Sequence, residues 1–361
     1  MSETTLVGER RAPAVHAAID AARRELRENL IIYVILAMWV AWTSFHAVRD
    51  GDGFAQELVK YGLRALRATV ALASLAVAAV AIRVLVARPE NPSREILRAV
   101  ARLATGPAIA RYVFGIATLS LFMAAFLHNK AQIPEIAPFA WDATFAAWDK
   151  MLFGGHQPWE LLHPIFGNAP AIVLLDFVYA AWVPIVFLFW AWTLASDRIP
   201  TSLRRQYWTA TMLSWILLGI VMATWLSSAG PCFLPQLAPD EAPAFAPLNA
   251  YLASVHETWS LASSLTKEHL WDVYAGASTE PGGISAMPSM HNAQAILFMV
   301  AAYRIRPLLG HVMAVYAVLI FVGSIMLAWH YAVDGLIGGA GAAIVWWACG
   351  FICRPRADTA R

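Results

Sequence analysis

The sequence predicts an all-α protein that crosses a membrane several times. Hydrophobic residues make up 59% of the chain, charged residues make up 14%, and the mean hydropathy is +0.56. Soluble domains carry about 25% charged residues, so a soluble globule is excluded. Several windows of about 20 residues are nearly free of charge, which is the helix length that crosses about 30 Å of hydrocarbon.

About eight transmembrane helices are predicted from these windows. Many of the 16 Trp and 10 Tyr side chains lie near the ends of the windows, as is typical of residues that prefer the membrane interface. The predicted spans are residues 30–48, 68–87, 111–128, 170–194, 208–228, 289–303, 308–328 and 330–352.

The Lys and Arg residues predict how the spans are oriented, because these residues are retained on the cytoplasmic side. With the N-terminus inside, most of the 26 Lys and Arg residues fall in cytoplasmic segments. The segment 229–288 holds several carboxylates and one basic residue, Lys267, so it is predicted to lie outside. Both termini are therefore predicted to be cytoplasmic.

Four parts are predicted along the chain. Residues 1–29 form a charged cytoplasmic arm, and the first span after it is predicted to be an anchor rather than a cleaved signal peptide. Residues 30–110 hold two additional membrane helices and a cytoplasmic loop. Residues 111–353 form the membrane domain that carries the chemistry, and residues 354–361 form a cytoplasmic tail.

Two further segments combine aromatic residues with isolated charges. Residues 139–166 and 246–274 are predicted to form short helices that lie on the outer membrane surface. Together they could form a roof over a cavity between the spans. The alternative is ordinary interfacial packing without contact to a substrate.

Composition also excludes several classes of function. The net charge of +2, without a basic run interleaved with aromatics, excludes a nucleic-acid partner. The three cysteines, Cys232, Cys349 and Cys353, form no CxxC pair, and no His/Cys cluster has zinc spacing. No metal and no cofactor is predicted.

Two groups of ionisable residues near the C-terminus do carry a chemical signal, because such groups are costly in or beside a membrane span. Pro288 is predicted to begin a helix that places His291 near its start. The free N–H groups of that turn, with the Ser289 hydroxyl, can hold a phosphate oxygen. His330 and Asp334 are four residues apart, so on a helix they share a face and can form a hydrogen bond.

The predicted topology brings His291 and His330 to the same outer level of the membrane. A carboxylate that holds one imidazole nitrogen directs the other outward as a nucleophile or base. Two imidazoles can then share phosphoryl transfer, since one attacks phosphorus while the other, protonated, donates to the departing oxygen. Such chemistry needs no metal if cations and N–H donors stabilise the transition state. Each histidine taken alone is better explained as a satisfied core or interfacial residue, but the HxxxD pair and the PSxH helix start together favour a chemical role.

These residues resemble the type 2 phosphatidic acid phosphatase superfamily. Pro288 to His291 look like its second signature motif, and His330 with Asp334 looks like its third. The resemblance implies a six-helix membrane core, with His330 as the nucleophile that forms a phosphohistidine. It further implies that Asp334 supports His330 and that His291 is the general acid.

The chain also departs from the common phosphatase pattern. Met290 replaces the usual Gly before the second-motif His, Gly323 and Ser324 replace a Ser-Arg pair, and no KxxxxxxRP motif precedes residue 288. These features, with the stretch 148–154, look more like the branch of inositol phosphorylceramide and sphingomyelin synthases. The resemblance covers roughly residues 140–350.

Several residues are candidates for substrate contacts. Lys150 is the candidate for a replacement phosphate contact, with a solvated Lys paired to Asp149 as the alternative. Ser289, Asn292 and Tyr331 complete the candidates. Asp176 lies inside a predicted span and needs a partner, but its role stays open.

The leading hypothesis from the sequence is a multi-pass lipid phosphotransferase with its site on the outer, periplasmic or lumenal face. Its partners would be a phospholipid donor and a lipid alcohol acceptor, and the donor headgroup stays open. One alternative is a lipid phosphate or polyprenyl diphosphate phosphatase, in which water replaces the alcohol. A second is a proton-coupled transporter with a His and Asp relay.

Overall fold

Helices form nearly all of the regular structure of this chain. The computed structural model describes residues 19–50, 54–103, 106–196, 198–278 and 282–353, and these ranges contain no β-strand. The predicted all-α class is therefore confirmed. The described residues form two units. The first unit holds the described residues of Met1–Ala125 and Phe187–Arg205, and the second unit holds Phe126–Val186 and the described residues from Gln206 onward. The four predicted parts stay a prediction.

The first unit holds the N-terminal helices. They are α1 (residues 19–28), α2 (Leu30–Asp50), α3 (Phe54–Ala87), α4 (Pro92–Leu103) and most of α5 (Gly106–Ala131). The guanidinium of Arg204 donates hydrogen bonds to the carbonyl oxygens of Thr193, Ser196 and Ile199. Thr193 lies in the last turn of its helix, where carbonyl oxygens have no intrahelical donor, so Arg204 supplies one there and ties the following loop to it.

The second unit holds the residues that the sequence singled out. Its elements begin with α6 (Ile133–Ile136), α7 (Asp142–Leu152), α8 (Pro158–Phe166) and α9 (Ala169–Ala180). Helices α10 (Trp182–Ala195) and α11 (Thr201–Ile216) have residues in both units, and a π-helical turn, Leu217–Met222, follows α11. The later helices are α12 (Ala223–Trp225), α13 (Leu234–Leu237), α14 (Ala246–Trp259), α15 (Ala262–Tyr274), α16 (Met290–Ile305), α17 (Pro307–Met326) and α18 (Ala332–Ile352).

Six helical segments of the described residues are long and apolar enough to cross a membrane. They are Leu30–Arg49, Pro107–Ile136, Ala169–Leu194, Thr201–Trp225, Pro307–Met326 and Ala332–Ile352. Six of the predicted spans coincide with them, which agrees with a polytopic membrane protein. The other two predicted spans correspond to the apolar end of α3 and to α16. Helix α16 has 16 residues, which is shorter than the about 20 residues of a full crossing.

Helices α16, α17 and α18 pack against one another, and α9 packs on α17. A Cβ at Gly338 would lie 2.5 Å from the backbone oxygen of Ser289. Helix α18 can therefore approach the beginning of α16 only because residue 338 has no side chain. Small residues at a helix contact allow this kind of close approach in membrane proteins.

The two segments predicted to be interfacial are each a pair of helices. Residues 139–166 form α7 and α8, which are separated by Gly154 and Gly155 with φ of +67° and +91°. Residues 246–274 form α14 and α15, with Ser260 between them at φ +49°. Glycine adopts positive φ without steric cost, so the bend between α7 and α8 depends on these two residues.

Candidate active site

His330 and Asp334 form a hydrogen-bonded pair at the beginning of α18. Nδ1 of His330 lies 3.2 Å from Oδ2 of Asp334, and both residues are buried. His330 precedes the first helical residue, Ala332, so the pair spans the helix start instead of lying along one helical face. The same Asp334 oxygen accepts the backbone N–H of Tyr331 at 3.1 Å. These bonds fix the carboxylate, and the carboxylate orients the imidazole.

His291 is the second residue of α16 and lies between aromatic rings. Its ring stacks on Tyr179 at 4.5 Å between centroids and lies 4.1 Å from Trp182. The Trp182 indole N–H also donates to the His291 carbonyl oxygen at 3.2 Å. The centroids of the His291 and His330 rings are 6.4 Å apart. One phosphoryl group placed between the rings can therefore contact both.

Ser289 and Asn292 connect the segments that carry the histidines. The Ser289 hydroxyl caps α16 by accepting from the Asn292 backbone and, at 3.0 Å, from the Asn292 side chain. The Asn292 amide also donates to the Ser324 hydroxyl at 3.3 Å. Both residues are buried outside the cavity described below. Their predicted substrate contacts stay a prediction.

Asp149 holds the first turn of α18. Its two carboxylate oxygens accept the backbone N–H groups of Ala332 at 2.7 Å and Val333 at 2.9 Å. A negative charge at a helix N-terminus is stabilising because the first N–H groups have no intrahelical partners. Burial raises the pKa of Asp149 to about 6, although the two backbone hydrogen bonds lower it.

Asp142 also accepts backbone N–H groups of a distant segment through its two carboxylate oxygens. Asp142 accepts the N–H groups of Ala229 at 2.9 Å and Gly230 at 2.8 Å, and it also accepts the Tyr331 hydroxyl at 3.0 Å. Tyr331 is therefore engaged by Asp142, and it lies outside the cavity lining, so its predicted substrate contact stays a prediction.

Asp176 accepts the first N–H groups of α15. Its oxygens are 2.7 Å from the Ala262 nitrogen and 2.8 Å from the Ser263 nitrogen. This arrangement supplies the partner that a carboxylate inside a predicted span requires. The sequence identified Asp176 as unusual but did not indicate that it holds another helix.

A cavity of about 260 Å³ opens beside both histidines. Lys130 lines the same cavity and interacts electrostatically with both imidazoles. Lys150 is exposed and lies outside the lining. The sequence alone could have identified Lys130 as a candidate for the site. This residue directly follows the predicted span 111–128 and faces the outer side in the predicted topology. Within the described ranges, no three His, Cys, Asp or Glu side chains stand together as a metal site would require.

The cavity is bounded by several elements of the second unit. The π-helical turn contributes Gly219, and α15 contributes Thr266 and Leu270. Residues 283–286 and Pro288, from the segment before α16, also line it. The predicted segment 246–274 thus does contribute to the cavity wall, through α15.

One protein-family model matches more than half of the chain. Residues 143–349 of the 361 match the family described as the PAP2 superfamily. No curated protein matches the chain. No solved structure matches it either.

Proposed function

This chain belongs to the PAP2 superfamily, and we propose that it is an integral membrane phosphotransferase that moves a phospho-headgroup from a glycerophospholipid to a lipid alcohol. Membership in the superfamily supports phosphatase or phosphotransferase chemistry on lipids in general. The observation that carries the proposal is the convergence of His291, His330 and Lys130 on one cavity. The ring separation of 6.4 Å is compatible with one phosphoryl group between the histidines.

His330 is the proposed nucleophile. Its Nδ1 is held by Asp334, so Nε2 attacks phosphorus, a P–N bond forms and the P–O bond to diacylglycerol breaks. Protonated His291 gives its proton to the departing alkoxide oxygen, which leaves as diacylglycerol. The acceptor alcohol then attacks the phosphohistidine, neutral His291 takes the alcohol proton, and the P–N bond breaks.

Lys130 is the proposed phosphate-binding cation. The chain has no cationic residue at the positions where the superfamily pattern places its Lys and Arg, so another group must stabilise the charge on the phosphoryl oxygens. A cation in a water-poor cavity does this more effectively than one in water. Lys130 is better supported than Lys150, because Lys130 lines the cavity and Lys150 is exposed.

A labelled phospholipid assay tests the transferase proposal. Purified protein in detergent receives a glycerophospholipid labelled in its headgroup phosphate, with and without ceramide as the added alcohol. We expect the label to appear on the added alcohol, in amounts that depend on that alcohol. Equal release of free phosphate or headgroup phosphate in both cases would instead establish the phosphatase, in which water attacks the intermediate.

The active site is proposed to lie on the outer, periplasmic or lumenal, face of the membrane that the protein spans. The distribution of Lys and Arg supports this orientation, with both termini cytoplasmic. A single cysteine at exposed Met151, in a variant without the three native cysteines, should react with an impermeant maleimide added outside intact cells. Labelling only after the membrane is opened would reverse the proposed sidedness.

A further inference from the structure

The turn that connects α17 to α18 carries the proposed nucleophile and contains an uncommon backbone conformation. Ala328, in the middle of this turn, has a φ of +56°, although it is not a glycine. A side chain makes this left-handed conformation costly, so it persists only where the surrounding structure enforces it. Leu327 and Ala328 are fully buried, and His330 follows two residues later. The conformation of Ala328 therefore sets the direction in which the chain presents His330.

The peptide plane before Ala328 is held through both of its polar groups. Its N–H, which belongs to Ala328, donates to the Ile325 carbonyl oxygen at 3.0 Å. Its carbonyl oxygen, which belongs to Leu327, accepts a hydrogen bond of 2.6 Å from the ammonium of Lys267 on α15. Because a peptide unit is planar, these two bonds fix the orientation of the whole unit next to Ala328.

The peptide plane after Ala328 is held by two backbone groups. Its carbonyl oxygen accepts the N–H of Cys232 at 3.0 Å, and its own N–H, which belongs to Trp329, donates to the Ser324 carbonyl oxygen at 3.0 Å. With both flanking planes fixed, φ and ψ of Ala328 are fixed as well. Three of the four partners are thus backbone groups. The fourth is the Lys267 side chain, which a substitution can remove.

The surroundings of the Lys267 ammonium suit it to this structural contact. It lies 5.3 Å from the centre of the Trp329 ring, which is a favourable cation–π arrangement. Trp329 directly precedes His330 and lines the cavity, whereas Lys267 does not line it. Burial lowers the pKa of Lys267, and its interactions with Cys232 and Asp176 raise it. A charged donor makes a stronger hydrogen bond to a carbonyl oxygen than a neutral donor does.

We propose that Lys267 is a positioning residue for phosphoryl transfer, which holds the Leu327 carbonyl so that the turn aims His330 at phosphorus. The inference rests on the proposed function, because it takes His330 as the nucleophile. Lys267 differs in this role from Lys130, which lines the cavity and is the proposed phosphate-binding cation. Loss of Lys267 should therefore slow the attack on phosphorus without weakening the binding of phosphate.

Lys267→Met tests the proposal, because it removes the ammonium and keeps a long, unbranched side chain. Lys267→Arg keeps a charged donor and should retain most of the activity. Arg204→Met is the matched control, because Arg204 is also a cation that donates to backbone carbonyl oxygens, but it belongs to the first unit and does not line the cavity. Thermal unfolding of each full-length variant in detergent sets an assay temperature at which all are folded. Lys267→Gln replaces Lys267→Met if the latter does not fold.

The first measurement separates positioning from phosphate binding. In Lys267→Met, the rate of donor cleavage at saturating donor should fall about 10–10²-fold, as for a small misplacement of a reacting group. Arg204→Met should cleave the donor at the wild-type rate. The inhibition constant of inorganic phosphate should stay within about twofold of the wild-type value in Lys267→Met and should rise in Lys130→Gln. A comparable rise in both lysine variants would overturn the proposal, since Lys267 would then bind phosphate itself.

The second measurement tests whether Lys267 acts through the conformation of Ala328. Glycine adopts positive φ without steric cost, so in Ala328→Gly the turn no longer needs the ammonium to keep its conformation. Adding Lys267→Met to Ala328→Gly should lower kcat by less than about fivefold relative to Ala328→Gly alone. The same loss of kcat with and without Ala328→Gly would show that Lys267 acts independently of the turn, and would contradict the proposal.

His330→Ala separates failure of this inference from failure of the proposed function. Donor cleavage that persists in His330→Ala would end the proposed function, and the positioning role with it. If donor cleavage is lost in His330→Ala while Lys267→Met behaves as Arg204→Met in each measurement, the positioning role alone is overturned. Both results are read from cleavage of the donor, so they hold whether an alcohol or water attacks the intermediate.

Discussion

The backbone N–H of Ser289 donates a hydrogen bond of 3.0 Å to the carbonyl oxygen of Asp334. This bond joins the residue before α16 to the first turn of α18. His291 lies two residues after Ser289, and His330 lies four residues before Asp334, so the bond also limits how far the two imidazoles can separate. The geometry of the candidate site therefore depends on backbone contacts as well as on its side chains.

Gly338→Ala should disturb this junction. The new Cβ would lie 2.5 Å from the Ser289 backbone oxygen, which cannot rotate away as a side chain can. We expect a loss of about 1–3 kcal/mol in unfolding free energy together with reduced turnover. Gly339→Ala is the control, because its Cβ would meet only the flexible Ile296 side chain at 3.3 Å. Equal melting temperatures for the two variants would show that the close approach is unimportant.

Asp334→Asn should lower turnover while leaving the protein folded. The amide oxygen of Asn is neutral, so it holds Nδ1 of His330 and the Tyr331 N–H more weakly than the carboxylate oxygen does and no longer stabilises the positive charge that the imidazole gains on attack. We expect kcat to fall on the order of 10³-fold, with a smaller change in KM. Steady-state kinetics measures both quantities. Activity near that of the wild type would remove Asp334 from the mechanism.

Asp149 should make activity sensitive to mildly acidic pH. Its pKa in the folded protein is about 6, because burial disfavours the carboxylate. Below that pH, protonation leaves one of the N–H groups of Ala332 and Val333 without a full acceptor, and the first turn of α18 loosens beside His330. We expect kcat to fall as the pH drops through about 6.

The pH dependence of folding stability has the opposite sign to that of kcat. Through Asp149, a lower pH decreases the expected kcat but increases the stability of the folded protein. The folded protein binds this proton more tightly than the unfolded chain, whose Asp pKa is about 3.9, so the contribution of Asp149 to stability decreases as the pH rises from about 4 to about 6. Asp149→Asn should remove both pH steps. Glu257→Gln, at an exposed carboxylate, is the control and should keep the wild-type profile. Identical profiles for the two variants would assign the pH dependence to another group.

Lys130→Gln should reduce kcat/KM far more than Lys150→Gln. Loss of a charge that stabilises the transition state inside a cavity costs about 10²–10³-fold, whereas an exposed Lys outside the cavity should change the rate by less than about twofold. Lys130→Arg should restore part of the activity because the positive charge remains. The reverse ranking of the two Gln variants would return the role of phosphate contact to Lys150.

The sequence was sufficient for the local features of the candidate site. His330 with Asp334, and Ser289 with His291, are close along the chain, so their proximity needs no long-range packing. The structure differs from the prediction in that His330 lies just before α18 and not on its face. The membrane spans were predicted because each depends on a continuous apolar segment. The hydroxyl of Ser289 was predicted to contact phosphate, but in the structure it caps α16 instead of lining the cavity.

The sequence could not predict the long-range contacts that the buried aspartates and Lys130 make. Asp149 is 183 residues from Ala332, and Asp142 is 88 residues from Gly230, so no local pattern pairs them. In the sequence, Asp142 and Asp149 are isolated charges of a predicted interfacial segment, and Asp176 is a carboxylate in need of a partner. Packing alone brings backbone N–H groups to all three carboxylates. The position of Lys130 beside the histidines has the same cause, because it depends on how residues 126–131, the end of α5, pack within the second unit.

Trapping of the covalent intermediate tests the central claim most directly. The protein is mixed with a glycerophospholipid labelled in its headgroup phosphate, without acceptor, quenched in alkali and digested for peptide mapping. We predict an acid-labile label on His330, lost in His330→Ala and retained in Lys150→Gln. Label on a different residue, or full turnover by His330→Ala, would contradict a phosphohistidine at this position.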